Sequence, residues 1–384
     1  MHPVRNVVLL GATGSIGDST LRVLRKHSDR FNLLGISAHR QGKKLCQIAH
    51  EFRVKHVHLG REDDLSGDLP AGTKFSTSPS ALDELASLEE ADLVVVAVVG
   101  AAGLAPTLSA LAAGKDVVLA NKESLVVGGE LVMQTARSSG ANILPADSEH
   151  NAVFQCLQGQ SQKAVKSLTL TASGGPFRDW SVDELATVTP AQALKHPNWS
   201  MGQKITVDSA TMANKGLELI EARWLFGLPP ERLNVVIHPP SLVHAIVHFI
   251  DGCSIAQMSP PSMTFALQHA LLFPERAEGV EEGLDFRQAL ELSFFPPDLN
   301  QYPCLRLAQQ CLDQGGSYPL VFNAANEVAV DAFLRNQVGF TEIADIINST
   351  LNTFSFSPAL TLDALLDQDK EARQRASACL SQLA

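Results

Sequence analysis

The stretch Val7-Val8-Leu9-Leu10-Gly11-Ala12-Thr13-Gly14-Ser15-Ile16-Gly17 decides the fold. Its four consecutive apolar residues fit a strand covered on both faces, and glycines follow at once, ahead of a pattern that predicts a helix over residues 18–27. Strand, glycine turn and helix in this order let the backbone approach a pyrophosphate and seat it on the helix N-terminus. A glycine run alone is weak evidence. Here the flanking elements supply the context that separates a nucleotide-binding turn, with the glycines Gly11, Gly14 and Gly17 allowing close backbone approach, from an ordinary one.

Working outward, a second strand over residues 31–38 ends where an NAD enzyme carries an acid for the ribose hydroxyls. This chain has His39 and Arg40 there, with Lys43 and Lys44 behind them. Cations without an acid favour a 2′-phosphate and hence NADPH, and a solvated basic turn is the alternative. Residues 92–100 form the clearest strand, followed by a helix with Pro106 in its first turn and Gly114 past its end. The next strand, Val117-Val118-Leu119-Ala120, runs into Asn121-Lys122-Glu123. Strands alternating with helices at this spacing predict an α/β class fold opening with a doubly wound, Rossmann-like parallel sheet. Such sheets bind ligands at the carboxyl ends of their strands, where Asn121, Lys122 and Glu123 fall. A surface ion pair is the other reading of Lys122 and Glu123.

The last strand of this set delivers Leu144-Pro145-Ala146-Asp147-Ser148-Glu149-His150-Asn151 to the same rim. Asp147 and Glu149, joined by Glu218 from a later helix, would make a cage of hard oxygens suited to Mg²⁺ or Mn²⁺, whereas zinc calls for His and Cys. The alternative is a solvated strand end.

Beyond Ser167 the pattern changes. Leu168-Thr169-Leu170-Thr171 alternates with period two, enters Ser173-Gly174-Gly175-Pro176, and predicts a strand of an antiparallel sheet. Residues 176–207 are too broken for a long element, and Trp199 among prolines and glycines reads as part of a lid or, equally, as a core residue. The run from Ser209 to Glu218 predicts the opening of a helix that stops at Gly227. On it Asn214, Glu218 and Glu221 share one face, Lys215 borders it, and Leu217, Ile220 and Trp224 form an apolar face. Ser209, Asn214 and Lys215 near a helix start suit a phosphate, with Glu218 one turn deeper; a capped surface helix is the alternative. Asp251-Gly252 predicts a tight hairpin turn. Residues 273–298 read as a linker, and the remainder as a helical bundle with helices led by Asn323, capped at Thr341 and opened by Asp367.

The whole chain of 384 residues predicts two or three domains. It has 45% hydrophobic and 18% charged residues and no apolar run of membrane-spanning length, so a membrane role is not expected. The formal charge of −11 argues against nucleic-acid binding. Without a signal-like N-terminus, a cytoplasmic location is expected. Cys46, Cys156, Cys253, Cys304, Cys311 and Cys379 contain no CxxC pair and read as small buried apolar residues.

The glycine turn at 11–17, Ala120-Asn121-Lys122-Glu123-Ser124, the run at 144–151, Ser173-Gly174-Gly175-Pro176-Phe177, His196-Pro197-Asn198-Trp199-Ser200-Met201-Gly202 and the run at 207–218 closely resemble the 1-deoxy-D-xylulose 5-phosphate reductoisomerase family. The resemblance covers almost the whole chain. It implies an NADPH-dependent rearrangement and reduction of a phosphorylated ketose, 1-deoxy-D-xylulose 5-phosphate, to 2-C-methyl-D-erythritol 4-phosphate in non-mevalonate isoprenoid biosynthesis. It also implies a divalent metal (Mg²⁺, Mn²⁺ or Co²⁺) on Asp147, Glu149 and Glu218, and substrate contacts from Ser148, Ser173, His196, Trp199, Ser209, Asn214 and Lys215. Cofactor contacts would come from Thr13, Gly14, Ser15 and Ile16 at its phosphates and extend to Lys122, Glu123 and Gly202, with Glu149, Glu218, Lys122 and His196 closest to the chemistry. A homodimer joined through the second sheet is implied too, with domains over 1–147, 148–272 and 299–384. Ala12 stands where serine is usual, and Ser259-Pro260-Pro261-Ser262-Met263 matches only in part. Two alternatives remain: another NADP-dependent dehydrogenase of a phosphorylated substrate, which needs no carboxylate cage, and a non-catalytic NADPH sensor.

Overall fold

Val7, Val8, Leu9 and Leu10 are fully buried, as a strand covered on both faces requires. The computed structural model describes residues 3–199 and 201–383, and in it the chain separates into two units that are discontinuous in sequence. The first holds the described residues up to Ser124 with Val132–Asn151 and Ser262–Gly283; the second holds Leu125–Leu131, Ala152–Pro261 and the described residues from Leu284 onward. Ser200, inside one of the family-like runs, lies outside the described residues.

The first unit alternates β1 (Arg5–Leu10), α1 (Ser15–Lys26), β2 (Phe31–Ala38), α2 (Gly42–Phe52), β3 (His56–Leu59), β4 (Lys74–Ser76), α3 (Ala81–Ala86), β5 (Leu93–Val96), α4 (Leu104–Ala112), β6 (Asp116–Leu119), α5 (Glu123–Ser139) and β7 (Ile143–Pro145), and α6 (Ser148–Cys156) starts in it. All seven strands are parallel, in the order β4-β3-β2-β1-β5-β6-β7. The order reverses between β1 and β5, and the crevice outside the carboxyl ends at such a reversal is where this architecture binds ligands. Two boundaries differ from expectation. α1 starts at Ser15, earlier than Asp18, because extended Gly14 already serves as its N-cap. β5 ends at Val96, since the chain turns away into Gly100 at φ 75°.

The second unit carries β8 (Val165–Ala172), the short α7 (Val182–Leu185) and α8 (Pro190–Ala193), α9 (Gln203–Ala210), α10 (Ala213–Phe226), β9 (Leu233–Ile237), β10 (Val243–Phe249) and β11 (Ser254–Met258). Asp251-Gly252 does turn the β10–β11 hairpin, where Phe249 N–H donates to the Cys253 carbonyl at 2.9 Å. The sheet, ordered β11-β10-β8-β9, is mixed and not wholly antiparallel: β8 and β9 run parallel. Its cause is the connection, because residues 173–232 form a crossover that carries α7 to α10, long enough to return the chain in the same direction. The chain then forms α11 (Met263–Leu272), which belongs to the first unit, and ends with α12 (Pro303–Gln314), α13 (Tyr318–Leu334), α14 (Glu342–Thr353) and α15 (Leu362–Leu383).

A single apolar cluster runs through the second unit, joining Leu170 and Val247 of its sheet to Leu217 and Ile220 of α10 and to Leu305, Phe322 and Ile343 of the terminal helices. α13 starts at Tyr318, before Asn323, with Pro319 in its first turn. α15 starts at Leu362, before Asp367, because the Thr361 hydroxyl and carbonyl accept from Ala364 and Leu365 N–H. The cysteine reading holds at Cys46, Cys156, Cys304 and Cys311, which are buried, and fails at Cys253, exposed beside the hairpin turn; Cys379 is half-buried. No described helix is long and apolar enough to cross a membrane.

Candidate active site

The nucleotide end of the first unit is built by close backbone contact. Gly11 has φ 89°, and a Cβ there would lie 2.5 Å from the Ala97 carbonyl oxygen, so the loops after β1 and β5 meet only because position 11 is glycine. Ala12, Thr13 and Gly17 are buried, Ile16 is half-buried, and Gly14 and Ser15 are exposed at the N-terminus of α1, where free N–H groups favour an anion. His39 and Arg40 are exposed directly after β2 with no acid beside them in sequence. Lys44 departs from the expected basic cluster. Its ammonium donates to the Thr13 carbonyl at 3.0 Å and pairs with Asp18 at 2.7 Å, so it holds the glycine turn to α1.

At the carboxyl end of β6, Asn121, Lys122 and Glu123 are buried, which excludes the surface-pair reading. Asn121 Nδ2 donates to the Val98 and Gly100 carbonyls at 3.0 and 2.9 Å and to Glu123 Oε2 at 2.9 Å, while its Oδ1 accepts from Ser124 N–H at 3.0 Å. Gly103 permits this knot: a Cβ there would lie 2.4 Å from Asn121 Oδ1. Lys122 Nζ pairs with Asp147 Oδ2 at 2.8 Å. Burial alone would raise the Asp147 carboxyl, but the Lys122 ammonium and His150 outweigh it and hold the group well below the usual carboxylate range. His150, fully buried with Nδ1 3.7 Å from Asp147, escaped the sequence reading; its place one turn after Asp147, on a helix starting at Ser148, is the signal that marks it. Ser148 Oγ donates to Glu149 Oε2 at 2.5 Å. Asp147 and Glu149 therefore offer carboxylate oxygens, the donor type that fits Mg²⁺ or Mn²⁺.

In the second unit three separated sequence runs meet. His196 Nε2 lies 3.0 Å from Ser173 Oγ and 3.1 Å from Ser209 Oγ. Its Nδ1 accepts the N–H groups of Asn198 and Trp199 at 3.1 and 2.9 Å, so the proton of the neutral ring sits on Nε2, facing both hydroxyls. Burial pulls this imidazole down to about 4. The loop is pinned further by Asn198 Nδ2, which donates to the Pro239 carbonyl at 2.7 Å and Ser241 Oγ at 2.8 Å, while half-buried Trp199 meets His244 edge-on with ring centres 6.3 Å apart. Gly202 forms the N-cap of α9.

The single helix expected from Ser209 onward is two. Met212, at φ 59°, breaks it, leaving Ser209 in the last turn of α9 and Asn214 and Lys215 in the first turn of α10. A left-handed methionine costs about 1–2 kcal/mol, held here by burial of its side chain. Lys215 and Glu218 are buried and ion-paired, and Asn214 Nδ2 donates to Glu218 Oε1, so this face is not a solvated one.

A doubly wound sheet that sets a glycine turn and a largely buried lysine–carboxylate pair at its strand ends is the arrangement of a dinucleotide-dependent oxidoreductase. Three family models match: 1-deoxy-D-xylulose 5-phosphate reductoisomerase over residues 7–129 and its two C-terminal domains over residues 143–226 and 258–375. The chain belongs to the 1-deoxy-D-xylulose 5-phosphate reductoisomerase family. It is similar to the reductoisomerase of Ralstonia pickettii, 49% identical with 96% of each chain covered, and to that of Clostridium botulinum, 45% identical with 97% of this chain and 98% of the relative covered. Among solved structures it resembles a DOX-P reductoisomerase in complex with NADPH, fosmidomycin and magnesium, at 41% identity and TM-score 0.92 over 99% of each chain. The Zymomonas mobilis enzyme in complex with NADPH follows at 41% identity and TM-score 0.91, covering 98% of this chain and 99% of that one. The chain is thus an NADPH-dependent, divalent-metal-using oxidoreductase of isoprenoid biosynthesis, acting on 1-deoxy-D-xylulose 5-phosphate.

Proposed function

We propose that the reductoisomerase reaction is carried by the residues described above, with Asp147, Glu149 and Glu218 holding the divalent metal. The observation that carries this reading is the half-buried Asp147 carboxylate, ion-paired with Lys122 at the end of the parallel sheet. A carboxylate held below the usual carboxylate range by a neighbouring ammonium is ready to take a cation without first losing a proton. Ser148, hydrogen-bonded to Glu149, would orient that carboxylate and touch substrate. When bound, the cation supplies electrostatic stabilisation of oxygen charge as the carbon skeleton rearranges, and NADPH supplies the hydride.

Ser173, Ser209, Asn214, Lys215 and the His196 Nε2–H bind the substrate phosphate in this reading. Neutral His196 gives one directed hydrogen bond, and Lys215 at the start of α10 gives the charge. Phosphate binding far from the reacting carbons contributes orientation energy. Trp199 and Met201 cover the substrate and exclude water. On the cofactor side Gly11, Thr13, Gly14, Ser15, Ile16 and Gly17 meet the phosphates, His39 and Arg40 the 2′-phosphate, and Asn121, Lys122, Glu123 and Gly202 the nicotinamide half. Residues 1–147, 148–272 and 299–384 would act as cofactor, catalytic and supporting domains, joined by 273–298.

The finer biology is part of the same proposal: a cytoplasmic homodimer, joined along edge strand β11, whose Ile255 is 40% exposed with Ile250 at 71% nearby, and acting on a small molecule without nucleic-acid or membrane partners. Light scattering tests the dimer. The function is tested by NADPH oxidation with chelator-treated protein and 1-deoxy-D-xylulose 5-phosphate, with and without Mg²⁺ or Mn²⁺, beside Glu218→Gln. Metal-dependent turnover lost in the variant is expected; metal-independent turnover would overturn the carboxylate assignment.

A further inference from the structure

One buried carboxylate next to the phosphate-binding hydroxyls has no part in the roles assigned above. Asp208 of α9, adjacent to Ser209 and 1% exposed, accepts a hydrogen bond from Asn326 Nδ2 of α13 at 2.8 Å on Oδ1. Its Oδ2 pairs with Lys204 Nζ, one turn earlier in α9, at 2.9 Å. Burying a carboxyl group this deeply is costly without such partners. Asn326 is fully buried, and its neighbour Glu327 is tied to Arg373 of α15 at 2.6 Å, which fixes that stretch of α13. The last turn of α9 is therefore anchored on one side by the C-terminal helices. On its other side lies the loop of Ser173: Gly175, at φ 68°, packs so closely that a Cβ would stand 2.9 Å from the Ser209 carbonyl oxygen. Ser209 has little room to adjust if its helix moves, and the distances of 3.0 and 3.1 Å to His196 depend on where α9 ends.

We propose that Asp208 is a positioning residue for phosphate binding: through Asn326 it locks the last turn of α9 so that the Ser209 hydroxyl meets His196 and Ser173, which makes α13 part of the phosphate-binding apparatus. The inference rests on the reading of Ser173 and Ser209 as phosphate ligands.

The test uses the full chain and inorganic phosphate as a competitive inhibitor against 1-deoxy-D-xylulose 5-phosphate. Asn326→Ala is expected to raise the phosphate inhibition constant and the substrate KM by about tenfold, with NADPH affinity unchanged. The exchanged pair Asp208→Asn with Asn326→Asp, which reverses the polarity of the same contact, is expected to restore most of the loss. A purely structural role would weaken NADPH binding and turnover together and show no rescue. Lys204→Met, at the more exposed partner, is expected to shift both constants in the same direction by a smaller factor and serves if Asn326→Ala does not fold. Ser209→Ala is the reference. If it leaves the phosphate inhibition constant unchanged, the phosphate reading falls and this inference with it. If it raises the constant while Asn326→Ala and Lys204→Met do not, only the role of Asp208 is overturned.

Discussion

Lys122 Nζ and Asp147 Oδ2 are 2.8 Å apart at the ends of neighbouring parallel strands, with side chains 8% and 14% exposed. Removing one partner of a pair this buried strands the other charge. Lys122→Met is therefore expected to lower unfolding stability by about 3 kcal/mol at pH 7, read from urea unfolding. Because the folded Asp147 carboxyl is depressed, its contribution is present above the ordinary value of about 3.9 and is lost as pH falls through the folded one. The gap between variant and wild type should thus be widest near neutrality and close in acid. A gap that is constant with pH would mean that packing, not charge, sets the cost.

Gly103→Ala tests the knot around Asn121. No positive φ is involved at Gly103, so alanine is allowed by the backbone and the effect is purely steric: the new Cβ meets the Asn121 amide at about 2.4 Å. Overpacking of this kind costs roughly 1–3 kcal/mol. Displacing Asn121 also releases Glu123, and the NADPH dissociation constant is expected to rise on the order of tenfold, measured by quenching or calorimetry. A stability loss with NADPH affinity intact would separate Asn121 from cofactor binding.

Lys44 and Arg40 are expected to separate two effects that the basic run 39–44 merges. Lys44 is committed to Thr13 and Asp18, so Lys44→Met should weaken NADPH and NADH alike by loosening the glycine turn. Arg40, exposed after β2, should carry the phosphate preference, and Arg40→Ala should weaken NADPH several-fold, about 1 kcal/mol, while leaving NADH unchanged. Steady-state KM values for both cofactors decide it. A change in NADPH preference on losing Lys44 would return it to the 2′-phosphate.

This contrast marks how far the sequence could be read. The strand, glycine turn and helix of residues 5–26 were legible because hydrophobic period and glycine position are local signals. So were Asp147 and Glu149, which follow a buried strand at once, and the Asp251-Gly252 turn. What stayed hidden depends on distant chain. Nothing local in Ala210-Thr211-Met212-Ala213 announces a left-handed methionine, which the surrounding core enforces, so Ser209 was read at a helix start when it ends one. The parallel pairing of β9 with β8 is likewise a property of the crossover and not of either strand. Gly103 went unread because its value lies in a partner, Asn121, that only the fold brings near, whereas His150 is the exception, a local partner one turn from Asp147 that needed only the helix start at Ser148 to be seen.

His196 offers a test of protonation. Its Nδ1 accepts two backbone N–H groups and its Nε2 faces Ser173 and Ser209, and burial lowers it from the ordinary value of about 6.5 to about 4. The ring is then neutral throughout the range where an unperturbed histidine titrates. Between about pH 4 and 6.5 the unfolded chain binds the proton and the folded one does not, so the contribution of this residue to stability rises with pH across that window and is flat above it. Histidine ring signals in NMR of the ligand-free protein should include one that titrates near 4, missing from His196→Gln. In the same variant the acid side of the stability curve should flatten relative to wild type, because that proton uptake is gone. Substrate KM should rise roughly tenfold, the loss of about one hydrogen bond to a charged phosphate, with no new dependence on pH between 6 and 9. A His196 signal titrating near 6.5 would mean that the imidazole is solvated and free of the two serines, and the phosphate role given to its Nε2–H would fall with it.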